Sequence, residues 1–178
     1  MVEQIKSLRV QIDGLAQLTK ELKPMPCGDD FCHSYETREA VDSLILAKAW
    51  LGKVLGELGN PTPYANDGKR KTVEDIEPAA DKSTVIEEIN KFPEITNTIN
   101  GFNWYEKNHV EKVDWLRQEI EKLSSYVESD FNYSIFSHTN QTPSREFSIA
   151  RTKAYSYLCE ARFWLGFELS RLRDKTNI

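Results

Sequence analysis

Basic and hydroxyl side chains are concentrated where the last helix of the chain is predicted to begin. Thr142 or Ser144 can cap this helix, and Pro143 falls near its first turn, where proline is favoured. A helix start offers free backbone N–H groups and the positive end of the helix dipole, and an arginine can hold a phosphate through two hydrogen bonds. The residues that combine these properties are Ser144, Arg145, Ser148, Arg151, Thr152 and Lys153. Together they predict a site for a small anionic ligand.

The segment before this helix supplies aromatic side chains that could hold the rest of such a ligand. Tyr133, Phe136 and His138 lie in it, and any of these rings could stack on a purine. The constellation therefore indicates a nucleotide. The alternative for each cation is an ordinary solvated or salt-bridged position on a helix surface, which is the usual environment of Lys and Arg.

An internal repeat determines where these residues lie. Residues 47–52 read AKAWLG and residues 161–166 read ARFWLG, and apolar residues on both sides coincide when the two WLG triplets are overlaid. Upstream, residues 2–15 (VEQIKSLRVQIDGL) overlay residues 110–123 (VEKVDWLRQEIEKL) with an offset six residues shorter. The difference is one loop insertion. We therefore expect one two-helix hairpin used twice, with a connector between the copies.

Apolar residues at intervals of three or four predict four helices, and short loops require the two helices of each pair to be antiparallel. The predicted helices cover residues 2–22, 35–58, 108–126 and 144–173. The fold class is all-α, a four-helix arrangement of two repeated antiparallel hairpins. The chain divides into a first hairpin (1–59), a long and partly irregular connector (60–107) and a second hairpin (108–178). A connector of this length is expected to pack on the hairpins, with Phe92, Phe102 and Trp104 as anchors.

Several basic residues occupy equivalent places in the two copies. Lys48 corresponds to Arg162, Arg9 to Arg117, and the pair Thr37-Arg38 to Arg151-Thr152. The order of cation and hydroxyl is exchanged in that last pair, which turns each side chain by about 100° around the helix. Arg162 joins the ligand-binding candidates of the second copy, and Thr37, Arg38 and Lys48 are secondary candidates in the first.

Gly52 and Gly166 also coincide, although a glycine within a helix costs about 1 kcal/mol relative to alanine. Either another helix crosses there without room for a methyl group, or a ligand lies against bare backbone. We expect a helix crossing. Trp50 and Trp164 could similarly stack on a base, but tryptophans at helical spacing beside leucines are more often part of a core.

Composition excludes several classes of function. The net charge of −5 and the pI near 5.3 argue against a protein that coats DNA or RNA. No run of about 18 apolar residues and no signal sequence is present, so we expect a cytoplasmic protein without a membrane partner. The three cysteines follow no disulfide framework. Cys27 and Cys32 beside His33 lack the second ligand pair of a zinc finger, so we expect no metal and no cofactor.

One part of the sequence resembles a known family. The run SREFSIARTKAYSYLCEARFWLG (144–166) is similar to the return arm of the helical-hairpin domain of phage anti-CBASS and anti-Thoeris sponge proteins, in which a segment of the type I-(G/A)-R-T begins the arm. Ile149-Ala150-Arg151-Thr152 matches that segment. The resemblance covers a third to a half of the chain, and this chain departs from the pattern by carrying two hairpins.

The resemblance implies a small all-helical homo-oligomer in the cytosol of an infected bacterium. It would sequester a cyclic nucleotide or cyclic ADP-ribose-type immune signal without cleaving it, with Arg151 and Thr152 at the binding surface. The absence of an HD or HExxH pattern agrees with a protein that is not an enzyme. The alternative hypothesis is an all-helical scaffold or assembly protein with no small-molecule ligand.

Overall fold

Four long α-helices make up most of the described chain. The computed structural model describes residues 2–22, 25–27, 30–59, 101–128 and 144–176. The helices are α1 (Val2–Lys20), α2 (Tyr35–Glu57), α3 (His109–Glu128) and α4 (Arg145–Thr176), and a 3₁₀ turn (Trp104–Glu106) precedes α3. The all-α class predicted from the sequence is confirmed. Residues 60–100 of the connector, and the segment 129–143 with its three aromatic candidates, lie outside the described residues.

The loop between α1 and α2 contains a short antiparallel ribbon that the sequence did not predict. Its strands are β1 (Met25–Cys27) and β2 (Asp30–Cys32), with Met25 opposite Cys32. Strands of three residues are too short to show an alternation of apolar and polar residues, so the pattern contained no signal for them. The ribbon is an accessory to the helices.

Side-chain caps define where the helices begin. The Ser34 hydroxyl accepts a hydrogen bond from the backbone N–H of Thr37 at 3.1 Å, and the Ser144 hydroxyl accepts one from Phe147 at 3.0 Å. Of the two caps proposed for the last helix, Thr142 or Ser144, the structure uses Ser144. At α3, the Asn108 side chain accepts from the N–H of Glu111 at 2.9 Å, and the Glu111 carboxylate accepts from the N–H of Asn108 at 3.0 Å. This reciprocal pair satisfies two N–H groups at the helix start.

The helices pack in the order α1, α2, α4, α3, and the α2–α4 contact is the most extensive. Two hydrogen bonds show the direction of that central pair. Ser34, before α2, donates to Glu168 near the end of α4 at 2.8 Å, whereas Ser144, before α4, donates to Glu57 at the end of α2 at 2.9 Å. The helices α2 and α4 therefore run antiparallel over their shared length. By contrast, α1 and α3 touch each other only briefly.

One apolar core joins all four helices, and it consists of the stripes seen in the sequence. Its completely buried members include Ile5, Ile12, Leu44, Leu51, Leu116, Ile120, Leu158 and Leu165. Burying one such side chain stabilises the fold by about 1.5 to 3 kcal/mol. The end of the connector contributes Trp104, which is 1% exposed and lies edge-on to Trp115 with ring centroids 5.6 Å apart. None of the described helices has a stretch apolar enough to cross a bilayer.

Candidate functional site

The same ion pair links the two helices of each pair at equivalent positions. Lys48 Nζ on α2 lies 2.7 Å from the Asp13 carboxylate on α1, and Arg162 Nη2 on α4 lies 2.9 Å from the Glu121 carboxylate on α3. Lys48 aligns with Arg162 in the WLG overlay, and Asp13 aligns with Glu121 in the upstream overlay, whose offset is six residues shorter. All four side chains are partly exposed, so each pair contributes at most about 1 kcal/mol. The pairs nevertheless fix the same register between the helices.

An arginine side chain lies on each of the two coinciding glycines. Arg9 Nη2 is 3.5 Å from the position that a Cβ would take on Gly52, and Arg117 Nε is 3.6 Å from the equivalent position on Gly166. Both distances are ordinary van der Waals contact, so alanine would fit. The predicted helix crossing without room for a methyl group is therefore wrong. The sequence pattern did not reveal that an arginine contacts each glycine, because a long side chain can reach a glycine from another helix.

The two arginines differ in what their Nε groups contact. Arg9 is 5% exposed, and its Nε donates to the backbone carbonyl of Lys48 at 3.3 Å. The Nε of Arg117 is buried but has no hydrogen-bond partner in the described part of the chain. The side chain of Arg117 is 30% exposed, and its Nη1 lies 3.9 Å from Asp114. In the second hairpin the arginine therefore keeps a donor that the first hairpin uses internally.

Arg117 lines a cavity of about 470 Å³ beside Gly166, which we name the arginine groove. Its lining is composed of Arg117, Cys159, Arg162, Phe163, Gly166, Phe167 and Ser170. The Nε of Arg162 is also buried, again with no acceptor among the residues described. A volume of this size falls in the range of about 300 to 1,000 Å³ that is typical of small-ligand sites. Two arginines, each with a buried Nε that lacks an acceptor in the described ranges, thus line a space that a small molecule can occupy.

The groove has an aromatic wall. Phe163 and Phe167 are 58% and 50% exposed, and their rings meet edge to face with centroids 4.7 Å apart. Behind them, Trp164 lies edge-on to Phe163 at 5.6 Å and to Tyr35 at 5.4 Å. Exposed aromatic faces beside cations are suited to a ligand that combines a planar ring with an anionic group. Trp164 is half-buried, as a partial core residue.

The arginine of the I-A-R-T segment contacts the neighbouring helix. Arg151 Nη1 donates to the backbone carbonyls of Val127 and Glu128 at 3.3 and 3.0 Å. These carbonyls belong to the last residues of α3, which have no partners within their own helix, so Arg151 caps α3. Thr152 beside it is exposed, and neither residue lines the arginine groove. The structure thus places the two principal sequence candidates away from this cavity.

The other candidates at the start of α4 serve local structure. Ser144 caps the helix and bonds to Glu57, and the Ser148 hydroxyl donates to the backbone carbonyl of Ser144 at 3.1 Å. Arg145 is exposed on the surface. These residues and the arginine groove lie in different parts of α4, because residues 145 and 162 are separated by more than four helical turns.

In the first hairpin the candidates are likewise dispersed. Thr37 is 3% exposed and its hydroxyl lies 2.8 Å from the hydroxyl of Ser34, whereas Arg38 is exposed and Lys48 forms its ion pair with Asp13. Of the basic and hydroxyl candidates, Arg162 is the one that lines the groove. The remaining lining residues of α4 occur at intervals of three or four, which is one face of a helix centred on the repeated glycine. This spacing around Gly166 was the sequence signal from which the lining of the groove could have been predicted.

A buried carboxylate fixes the helices around one end of the groove. Glu168 is 1% exposed and accepts hydrogen bonds from Ser34 at 2.8 Å and from Arg171 at 2.6 Å, while His109 Nε2 lies 3.5 Å away. Burial raises the pKa of Glu168, but the hydrogen bonds from His109, Arg171 and Ser34 outweigh burial and lower the pKa to about 2. The carboxylate therefore ties the starts of α2 and α3 to α4, adjacent to Phe167.

Comparison with known proteins returns no match: no protein-family model, curated protein or solved structure is similar to the chain. Within the described residues, no three potential metal-ligating side chains come together.

Proposed function

We propose that the protein binds and sequesters a small anionic ligand of the nucleotide type in the arginine groove. The observation that supports this proposal is that Arg117 and Arg162 both line a ligand-sized cavity, and that the buried Nε group of each has no acceptor among the described residues. A buried donor without a partner costs about 1 to 3 kcal/mol, and an anion would supply the missing acceptor with the added strength of a charged hydrogen bond.

The expected affinity follows from these groups. Two charge-assisted hydrogen bonds contribute about 1.5 to 3 kcal/mol each, and stacking of a base on Phe163 or Phe167 contributes about 1 to 3 kcal/mol. The sum of about 4 to 9 kcal/mol corresponds to dissociation constants from the millimolar range to below micromolar. Additional contacts within an oligomer would be needed to reach nanomolar affinity.

Sequestration without cleavage is favoured by the groove's composition. The lining provides guanidinium donors, a thiol, a hydroxyl and aromatic rings, but no carboxylate or imidazole among its described members that would act as a general base. The resemblance of residues 144–166 to phage sponge proteins supports a cyclic nucleotide or cyclic ADP-ribose-type signal as the ligand. On this proposal the protein is a homo-oligomer in the host cytosol that counters CBASS or Thoeris defence.

Calorimetry with a panel of cyclic mono-, di- and trinucleotides and cyclic ADP-ribose isomers tests the proposal. At least one compound should bind, and the double variant Phe163→Ala, Phe167→Ala should weaken that binding by at least tenfold. Mass spectrometry of the ligand released by denaturation should recover it intact. Binding of no compound in the panel would refute a nucleotide sponge, and recovery of a hydrolysed product would identify an enzyme instead.

A second candidate function rests on the exposed apolar side chains. Tyr35, Ile45, Leu46, Phe163 and Phe167 are each between 42% and 58% exposed on α2 and α4, an arrangement that also suits a scaffold protein with a protein partner. Thermal denaturation separates the two functions. A ligand at a hundred times its dissociation constant stabilises the fold by about 2.7 kcal/mol, whereas a scaffold would show no shift with any nucleotide.

A further inference from the structure

We infer that the two hairpins have divided their roles, so that Arg117 recognises an anion in the second hairpin while the equivalent Arg9 is a structural residue in the first. This inference rests on the proposed function in taking the arginine groove as the ligand site. It adds which of the two repeats binds the ligand and which arginine recognises the anion, with one such site among the described residues.

The evidence is a matched pair of environments. Each arginine directs the edge formed by Nε and Nη2 towards a glycine on the paired helix, at 3.5 to 3.8 Å from where a Cβ would be. In the first hairpin, the Nε of this edge is bonded to the carbonyl of Lys48, and the side chain is buried. In the second hairpin, the corresponding Nε lacks an acceptor within the described ranges, and Arg117 is one of the residues that line the groove. The Nε–Nη2 edge is the one that binds two oxygens of a phosphate or carboxylate together.

The residues around the two arginines also differ between the hairpins, and the difference again favours a ligand beside Arg117. Under the overlay, the groove residues Cys159, Phe163, Phe167 and Ser170 correspond to Ile45, Ala49, Lys53 and Gly56. The second hairpin thus has two aromatic rings where the first has an alanine and a lysine. The Lys53 ammonium lies 3.9 Å from the centroid of the Trp50 ring, so the aromatic face present there is covered by a cation of the same chain. A planar ligand can therefore stack beside Arg117 but not beside Arg9.

A substitution at Gly166 should affect ligand binding, whereas the same substitution at Gly52 should not. A methyl group on Gly166 would contact both nitrogens of the Arg117 edge and would add bulk at a residue that lines the groove. A methyl group on Gly52 would contact Arg9 in the same way, but there the edge already serves a carbonyl. Gly166→Ala should therefore weaken anion binding by at least tenfold, and Gly52→Ala should leave it unchanged. Both variants should fold, because the distances are ordinary contacts.

The test is NMR of the arginine Nε–Hε groups in the full chain, titrated with inorganic phosphate and then with adenosine 5′-monophosphate. The Nε–Hε signals of Arg117 and Arg162 should move in a saturable way in the parent protein and in Gly52→Ala. The signal of Arg9 should stay in place, and Gly166→Ala should lose the response.

The inference is overturned if the Arg9 signal responds as strongly as that of Arg117, if neither signal moves, or if the two glycine variants bind phosphate equally well. A different result would refute the proposed function. If phosphate moves the Arg117 signal but no compound of the nucleotide panel binds more tightly than phosphate, the division of roles stands and the nucleotide sponge does not.

Discussion

The buried carboxylate of Glu168 should make the stability of the fold strongly dependent on acid pH. Its pKa is lowered from 4.5 to about 2 in the folded chain. A group with a lowered folded pKa contributes stability that is fully present above the unfolded pKa and is lost as the pH falls towards the folded pKa. At pH 3 the unfolded chain has bound the proton and the folded chain has not, which costs about 2 kcal/mol relative to pH 7. The window of loss therefore extends from about pH 5 down to about pH 2.

Urea denaturation followed by circular dichroism between pH 7 and pH 3 measures how the free energy of unfolding falls with pH. The free energy of unfolding of Glu168→Gln should be lower at pH 7, because Arg171 and Ser34 lose a charged acceptor, but its decline with acid should be smaller by about 2 kcal/mol. Glu160→Gln, at an exposed position of the same helix, is the matched control and should decline like the parent. If Glu168→Gln declines as steeply as the parent, the reasoning from the buried carboxylate is refuted.

Three further variants test individual contacts by thermal denaturation. Gly52→Ala should raise the melting temperature by about 1 to 4 °C, because it gains roughly 0.5 to 1 kcal/mol of helix propensity without a clash; a decrease would mean that Arg9 cannot accommodate the methyl group. Arg151→Ala should lower the melting temperature by about 2 to 4 °C, because the C-terminal carbonyls of α3 lose their cap. Ligand binding should be retained. Loss of binding at unchanged stability would mean that Arg151 contacts the ligand. Ser34→Ala should destabilise the fold by about 1 to 3 kcal/mol, because α2 loses its cap and Glu168 loses a donor; an unchanged melting temperature would contradict both roles.

The sequence by itself determined the features that depend on neighbours along the chain. The stripe from Ile5 to Leu18 predicts α1 because residues three and four apart share one face of a helix. Ser34 and Ser144 were identifiable as caps because a cap bonds to an N–H only three residues away. The fold class follows from the same local periodicity.

Only the tertiary structure decided which cations are available to a ligand. Arg9 and Arg117 are equivalent in the overlay, yet the Nε of Arg9 donates to the carbonyl of Lys48, whereas the Nε of Arg117 lacks an acceptor in the described ranges and Arg117 lines a cavity. Arg151 has the most suggestive sequence context, but it spans 23 residues of sequence to reach the end of α3. A guanidinium at the end of a flexible side chain takes its partner from whichever helix packs nearby. That choice depends on distances between helices, which the spacing of residues along one helix does not contain.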